Sequence, residues 1–429
     1  MPGFAMQPYA IGSAAMKVAV FHPGTQHSWQ TALALQDLDR LAWYATSIFY
    51  RPDRFPYWLE RVVPAAMGRK LHAEFARFSH PRLDPSGVRT SGVIEWIERL
   101  ATRFGARGAA HWLDTVGNQR FASALAAQMN SPDRFALWGY NGSSEAAFIA
   151  ARAAGRTCIL DRTSGDYRHY NAMMADLTTR YGEWFSTTKG FAMSEARIAA
   201  DAREYALADQ IVVGSEFAAR TIRENASDPA VAAKLRVLNY CYDEAFFADS
   251  PAPRPVPRDA PVKFLYLGLV IPSKGVHHAL EAIARIPREQ AELTVVGGLA
   301  VPRQMLERYA HRITYVPAVP RSAVAAIMQD HHVFLMPSYS EGAGITLYEA
   351  LASGCALIQS RNCAEAVTPE TGILLDKVDT DHLHAAMMRA IEDRECLDSW
   401  RAAAQGRATS FTFARYRENV AALLNEMGV

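Results

Sequence analysis

Two carboxylates, Glu341 and Glu349, stand eight residues apart, and two glycines, Gly342 and Gly344, closely follow the first. They lie in His332-Val-Phe-Leu-Met-Pro337-Ser-Tyr-Ser-Glu341-Gly-Ala-Gly344-Ile-Thr-Leu-Tyr-Glu349-Ala. The proline-capped apolar run before them reads as a strand and the residues after as a helix. Such a turn aims backbone N–H groups outward at a helix N-terminus, where phosphates and sugar hydroxyls can be held. Two glycines weaken a helix and let a ligand approach the backbone closely, so Glu341 is read as a loop residue. The competing reading is a capping box of Ser338 with Glu341. Glu349 has the same choice through Thr346: it either returns a hydrogen bond within the first helical turn or takes two adjacent hydroxyls in charge-assisted bonds, as a ribose offers. The two roles are compatible.

A second candidate lies upstream, where Phe264-Leu-Tyr-Leu-Gly268-Leu-Val-Ile-Pro-Ser-Lys274-Gly275 leads from a strand into a helix over 276–285. A lysine at a helix N-terminus faces the positive end of the macrodipole, which disfavours it by roughly 0.3–1 kcal/mol. A bound anion reverses that sign. Lys274 is therefore read as a diphosphate holder, against the alternative of a solvated loop lysine.

The elements that must position these groups are α/β. Short β-branched runs at 16–21, 157–160, 210–213, 235–238, 262–267, 293–296, 313–316, 333–336, 356–358 and 373–375 are spaced for a crossover helix in most intervals, which requires parallel pairing. The expected organisation is a flexible leader over 1–15, a first Rossmann-like domain over 16–247 and a Pro-rich linker over 248–261. A second such domain over 262–410 and a C-terminal helix over 411–429 complete it. That helix either closes the second domain or lies across a cleft. Within the first domain, 45–130 loses its strand signal and reads as helical, basic and aromatic. From Arg51 to Arg107 there are eleven Lys/Arg against six Asp/Glu. Two readings stand there: a helical insertion with aromatics as core, or a surface for anionic lipid or a lipid-linked acceptor.

Bulk properties narrow the classes. With 45 basic and 44 acidic residues in 429, nothing global argues for nucleic acid. The five cysteines are widely spaced with no C-x-x-C pair, as expected of reduced buried thiols. No secretory signal or bilayer-spanning run is read, so a cytoplasmic location is expected, with peripheral attachment to the inner face of a membrane open. Asp379-Thr-Asp381 has metal-motif spacing but opens a helix and reads as an N-cap. No metal or other cofactor is expected. No G-x-G-x-x-G follows a strand and no Walker loop is present, which speaks against nicotinamide-dependent or P-loop chemistry.

The stretch Glu341 to Gly354 resembles the glutamate motif of the retaining glycosyltransferases of family four, of the glycosyl transferases group 1 type. Gly268 to Gly275 is similar to that family's Gly-Arg to Lys-Gly loop, and Ala208-Asp209 to Ser215 resembles its first-domain strand end. The likeness is good over roughly 195–390 and thin before that. It implies the GT-B fold, two Rossmann-like domains with parallel sheets facing a cleft, and transfer of a hexose-type sugar from a UDP- or GDP-sugar to a glycan, glycolipid or polysaccharide acceptor. The resemblance assigns Glu341 to the sugar hydroxyls, Lys274 to the diphosphate and Glu349 to the ribose. It brings Gly342, Ala343, Gly344, Ile345 and Gly268 to the donor, with Gly24 and Thr25 as first-domain contacts. Three positions depart from the family pattern: Leu269 stands where an arginine is usual, Gly24 is a single glycine after the first strand, and Ala343 occupies an aromatic position. A first-domain histidine would be His22, His27 or His169. A nucleotide-sugar epimerase and a sugar-nucleotide-binding protein without turnover are the alternatives.

Overall fold

The structure is a computed structural model, and it describes residues 15–24, 27–90, 125, 128–185 and 192–429. Its strands form two sheets. The first comprises β1 (Lys17–Phe21), β2 (Leu41–Thr46), β3 (Val88–Thr90), β4 (Phe135–Tyr140), β5 (Cys158–Arg162), β6 (Gln210–Val213) and β7 (Leu235–Val237) in the order β3-β2-β1-β4-β5-β6-β7. The second comprises β8 (Val262–Leu267), β9 (Ala291–Val296), β10 (Ile313–Val316), β11 (Val333–Met336), β12 (Ala356–Ser360) and β13 (Gly372–Leu375) in the order β10-β9-β8-β11-β12-β13. Its pairings are all parallel.

By compactness the chain divides into two units. One holds the described residues up to Trp138 together with 150–157 and 421–429; the other holds 139–149 and 158–420.

In the second unit the six-stranded sheet is apolar on both faces. Phe264, Tyr266, Val333 and Leu335 belong to one buried cluster, and Leu265, Phe334 and Met336 to the other. Alternate residues of one strand thus enter opposite cores, which is why these strands read as continuous apolar runs. The order reverses between β8 and β11. In open parallel sheets a ligand crevice lies beyond the carboxyl ends of strands at such a switch point.

The Pro-rich segment 248–261 contains no helix or strand. It is tied down where its prolines leave donors and acceptors: Val256 N–H donates to Asp398 Oδ1 at 2.9 Å, and Arg394 donates to Ala260 O at 2.9 Å. Asp379 caps the helix Thr380–Glu392 by accepting from His382 N–H, and Asp381 pairs with Arg285 at 2.6 Å, in agreement with the N-cap reading.

In the first unit the helix Ser28–Asp37 is followed at once by β2, which the strand series above omits. The chain reverses at Asp39, whose φ of 55° makes it the one non-glycine residue with positive φ among those described. Glycine is the usual signal for such a stop, and here it is absent. The region 45–130, read as helical, also holds the end of β2 and the edge strand β3 among its described residues. Residues 91–124, 126 and 127, and the leader 1–14, lie outside the described residues.

Candidate functional site

The loops after β8 and β11 are drawn together by backbone. Tyr339 N–H donates to Ser273 O at 2.8 Å, one residue from Lys274 and two from Glu341. Gly275 takes a φ of 68°, and a Cβ there would lie 2.1 Å from Pro337 O, so only glycine lets the two turns close this far. The Lys274 ammonium consequently meets the Glu341 carboxylate in an ion pair. The lysine ends a 3-10 turn over Pro272–Lys274, and Gly275 passes the chain into the helix Val276–Ala284. Gly268, at a φ of 150°, lies beside the lysine: a Cβ there would be 3.7 Å from Nζ.

Glu341 is a loop residue, since β11 ends at Met336 and the next helix, Ile345–Ala352, begins four residues beyond Glu341. That removes the Ser338 capping box. Its N–H donates to Asn362 O at 2.9 Å, while Ser338 O accepts from Ser360 Oγ at 2.6 Å. The loop is thus stitched to the segment after β12. Its carboxylate is felt nearby, for burial first and Glu341 second push the Cys363 thiol upward, and the same two causes raise the Tyr266 hydroxyl.

Gly344 initiates the helix with a φ of 78° and no side-chain cap. Glu349 is therefore the fifth helical residue, outside the capping-box position that Thr346 suggested. It is 4% exposed, and Arg321 donates to its Oε1 at 2.7 Å. Burial raises the Glu349 pKa, Arg321 opposes the rise, and Asp243 adds to it. The Arg321 guanidinium sits 5.6 Å from the centre of the exposed Phe246 ring. Arg321 escaped the sequence reading; its only signal is the Pro317-Ala-Val-Pro320 turn that precedes it after β10.

The glutamate loop also rests on loops at the carboxyl ends of β5 and β6. Ser215, the N-cap of the helix Glu216–Asn225, donates through Oγ to Gly342 O at 2.5 Å. A Cβ on Gly342 would lie 1.9 Å from Thr163 O, and Ala343 already fills the space beside Gly214. Thr163 is held in turn by Asn141 Oδ1, which accepts from its N–H and its hydroxyl, both at 3.1 Å. Beneath it the buried Arg162 pairs with Asp201 at 2.6 Å and donates to Gly165 O at 2.7 Å.

Residues 252–407 match the family of glycosyl transferases group 1. Over 164 residues the chain is 29% identical to a glycogen synthase of Mycobacterium tuberculosis, covering 36% of this chain and 40% of that protein. It is 28% identical over 162 residues to the O-antigen chain mannosyltransferase B of Escherichia coli, covering 35% and 42%. The matches thus span about two-fifths of the length of these curated relatives. Solved structures share the fold over nearly the whole chain. Anabaena HepE in complex with UDP and glucose aligns with a TM-score of 0.61 at 12% identity, over 96% of this chain and all of that one. Sucrose-phosphate synthase of Thermosynechococcus elongatus aligns with a TM-score of 0.62 at 17% identity, over 96% and 99%. The two parallel α/β sheets are those of the GT-B fold.

Within the matched glycosyl transferases group 1 segment lie Lys274, Glu341 to Ile345, Glu349 and Gly268, and the structure gathers them around the β8/β11 switch point. Leu269, where the resemblance leads to the expectation of an arginine, is 47% exposed. Gly24 belongs to the other unit, in the turn after β1, where its N–H donates to His22 Nδ1 at 2.9 Å. Thr25 lies outside the described residues. Of the histidines, His22 is buried with a lowered pKa caused by that burial, and His169 packs edge-on to Phe217 at 5.7 Å. His27 precedes the helix Ser28–Asp37 without a side-chain cap.

One further arrangement holds the glutamate loop. The His278 Nε2 to Tyr339 hydroxyl distance is 2.6 Å, and Nδ1 lies 2.8 Å from Thr380 Oγ1, which itself donates to Glu281. With the Thr380 proton committed to Glu281, His278 donates from Nδ1, and the Tyr339 hydroxyl beside Nε2 also donates to Val378 O at 3.2 Å. His277 stacks parallel to Tyr339 at 6.2 Å.

Proposed function

We propose that this protein is a retaining, metal-independent glycosyltransferase. It moves a hexose-type sugar from a UDP- or GDP-sugar to a carbohydrate or lipid-linked acceptor, working in the cytoplasm with peripheral contact to the inner membrane face. The observation that carries the reading is the ion pair of Lys274 and Glu341 at the switch point of a parallel sheet. Each charge satisfies the other, so a ligand is accepted at low cost only if it replaces both partners. An anion alone takes the lysine and strands the carboxylate; hydroxyls alone do the reverse. A nucleotide diphosphate sugar offers a diphosphate at one end and hydroxyl donors at the other.

In the reaction, Lys274 stabilises the charge that builds on the departing diphosphate, and Glu341 orients the sugar through its hydroxyls. Preorganised charge of this kind is the protein's main contribution, and the leaving phosphate assists removal of the acceptor's proton. Glu349 receives ribose hydroxyls on the oxygen that Arg321 leaves free. The N–H groups of Gly342 to Ile345 approach sugar and phosphate at the start of a helix.

The test is turnover of UDP- and GDP-sugars with candidate lipid-linked and oligosaccharide acceptors, with product anomer read by NMR. Retained configuration and product formation abolished by Glu341→Gln and Lys274→Ala support the reading. Inverted product removes the retaining mechanism. Donor isomerisation without transfer assigns the protein as an epimerase, and tight donor binding with no turnover on any acceptor as a binding protein.

A further inference from the structure

We infer that residues 54–70 of the first unit form a docking surface for an anionic lipid bilayer. Eight large apolar side chains are exposed among the described residues, and four of them fall within this stretch: Phe55, Trp58, Val62 and Met67, at 58%, 40%, 65% and 54% exposure. Neighbouring aromatics go the other way, with Tyr57, Phe75 and Phe78 buried in a small cluster with Ile48. The region thus divides its aromatics: one set makes the core and another is left outside it.

The outward set is held on a stiff base. The turn ending in the short helix Leu59–Val62 packs on the helix Ala65–Phe75 at Gly68, where a Cβ would lie 2.5 Å from Glu60 O. Glu60 is occupied internally, accepting from the Tyr50 hydroxyl at 2.6 Å and lying 3.1 Å from His72 Nδ1. The exposed charges around the apolar set are then Arg54, Arg61, Arg69 and Lys70 against Asp53. Met67 and Lys70 are three apart on one helix and share a face.

Charge decides the occupant. Four exposed cations against one exposed acid in and beside this stretch favour headgroups of negative sign over a protein partner of ordinary surface, and an exposed tryptophan in a segment rich in arginine and lysine suits the membrane interface. Each basic residue near an anionic surface contributes about five-fold in affinity, and salt screens it. The inference deepens the peripheral contact proposed above. Its readout is lipid association, so it can fail while glycosyl transfer stands, and the reverse.

The experiment is flotation of the full chain with vesicles of phosphatidylcholine alone or mixed with phosphatidylglycerol, at low and high salt. Association with the mixed vesicles, weakened by salt and reduced at least about ten-fold both by Phe55→Ser with Trp58→Ser and by Arg54→Glu with Arg61→Glu, is expected. Circular dichroism confirms that these surface variants fold. Equal association of all forms, or none by the unaltered chain, overturns the inference. So does a dimer in sedimentation that the Phe55/Trp58 variant dissolves without any lipid association, since the surface then belongs to a second copy.

Discussion

Gly342→Ala perturbs the glutamate loop with one methyl group. The added Cβ would sit 1.9 Å from Thr163 O, with Thr163 C at 2.9 Å and Ser164 Cα at 3.1 Å. All three are backbone atoms, so no side chain can swing aside. To reach even 3.0 Å from that oxygen, the Glu341 loop and the loop after β5 must part by at least about 1.1 Å. Three hydrogen bonds strain with that motion: Ser215 Oγ to Gly342 O, and those that the Thr163 N–H and hydroxyl donate to Asn141 Oδ1. Overpacking of this size costs about 1–3 kcal/mol in stability. A displacement near 1 Å at a positioning group costs roughly 10²-fold in turnover. The assay is denaturant unfolding together with steady-state transfer, and Gly406→Ala is the control. Gly406 lies in the helix Arg394–Ala408, and a Cβ there would meet nothing within 4 Å, so alanine gains about 0.8–1 kcal/mol and leaves kcat/KM alone. If Gly342→Ala keeps kcat/KM within two-fold and loses no stability, the contact between these loops is refuted.

Further expectations concern buried titratable groups. Burial raises the Glu349 pKa, so its charged form is penalised in the folded state above the usual carboxylate range and the penalty vanishes as pH falls through the folded pKa. Glu349→Gln should therefore leave neutral-pH stability unchanged or higher in urea unfolding, while nucleotide affinity measured by calorimetry drops about ten-fold or more with the loss of a charge-assisted bond. Strong destabilisation with intact affinity would make the carboxylate structural. His277 is fully buried, neither ring nitrogen has a hydrogen-bond partner among the described residues, and burial first, then His278 and Arg180, lower its pKa from 6.5 to about 2. The unfolded chain protonates this histidine below pH 6.5 and the folded chain does not, so stability present above 6.5 falls on acidification by on the order of 1 kcal/mol per pH unit. His277→Leu should flatten the acid limb of a stability-against-pH curve by that slope, and an unchanged limb would contradict the buried neutral ring. Tyr339→Phe removes the hydroxyl that joins His278 Nε2 and Val378 O; a fall in kcat with donor affinity nearly intact is expected from steady-state kinetics, and unaltered kcat would remove this hydroxyl from the positioning of the Glu341 loop.

Much of the second unit was legible because its strands obey one rule. The runs 262–267, 313–316 and 333–336 coincide with β8, β10 and β11, which are short apolar segments with clear bounds. The first sheet was harder to read. β4, Phe-Ala-Leu-Trp-Gly-Tyr, is buried at every position, so it lacks the alternation that separates a strand from a buried helix. β2 hides behind a helix that stops at Asp39 without a glycine. At the site, Lys274, Glu341 and the two glycines were visible because their types conflict with an ordinary helix start. Their pairing was not, since Tyr339 N–H and Ser273 O join loops 66 residues apart. Arg321 was invisible for the same reason: its partner Glu349 is 28 residues away, and an arginine after a proline turn is unremarkable until parallel pairing brings the carboxyl ends of β10 and β11 to the same side of the sheet.

The central claim is that one ligand separates Lys274 from Glu341 by satisfying both. Calorimetry of UDP, GDP and their sugars against the unaltered chain and Glu341→Gln tests it most directly. The account predicts opposite responses for the nucleotide that binds. Glu341→Gln frees the lysine, so the bare nucleoside diphosphate binds several-fold tighter, whereas the sugar nucleotide loses its hydroxyl acceptor and with it the advantage it holds over the bare diphosphate. If both ligands shift together, or neither binds in a manner that Lys274→Ala abolishes, the two charges do not serve a common donor and the account is wrong.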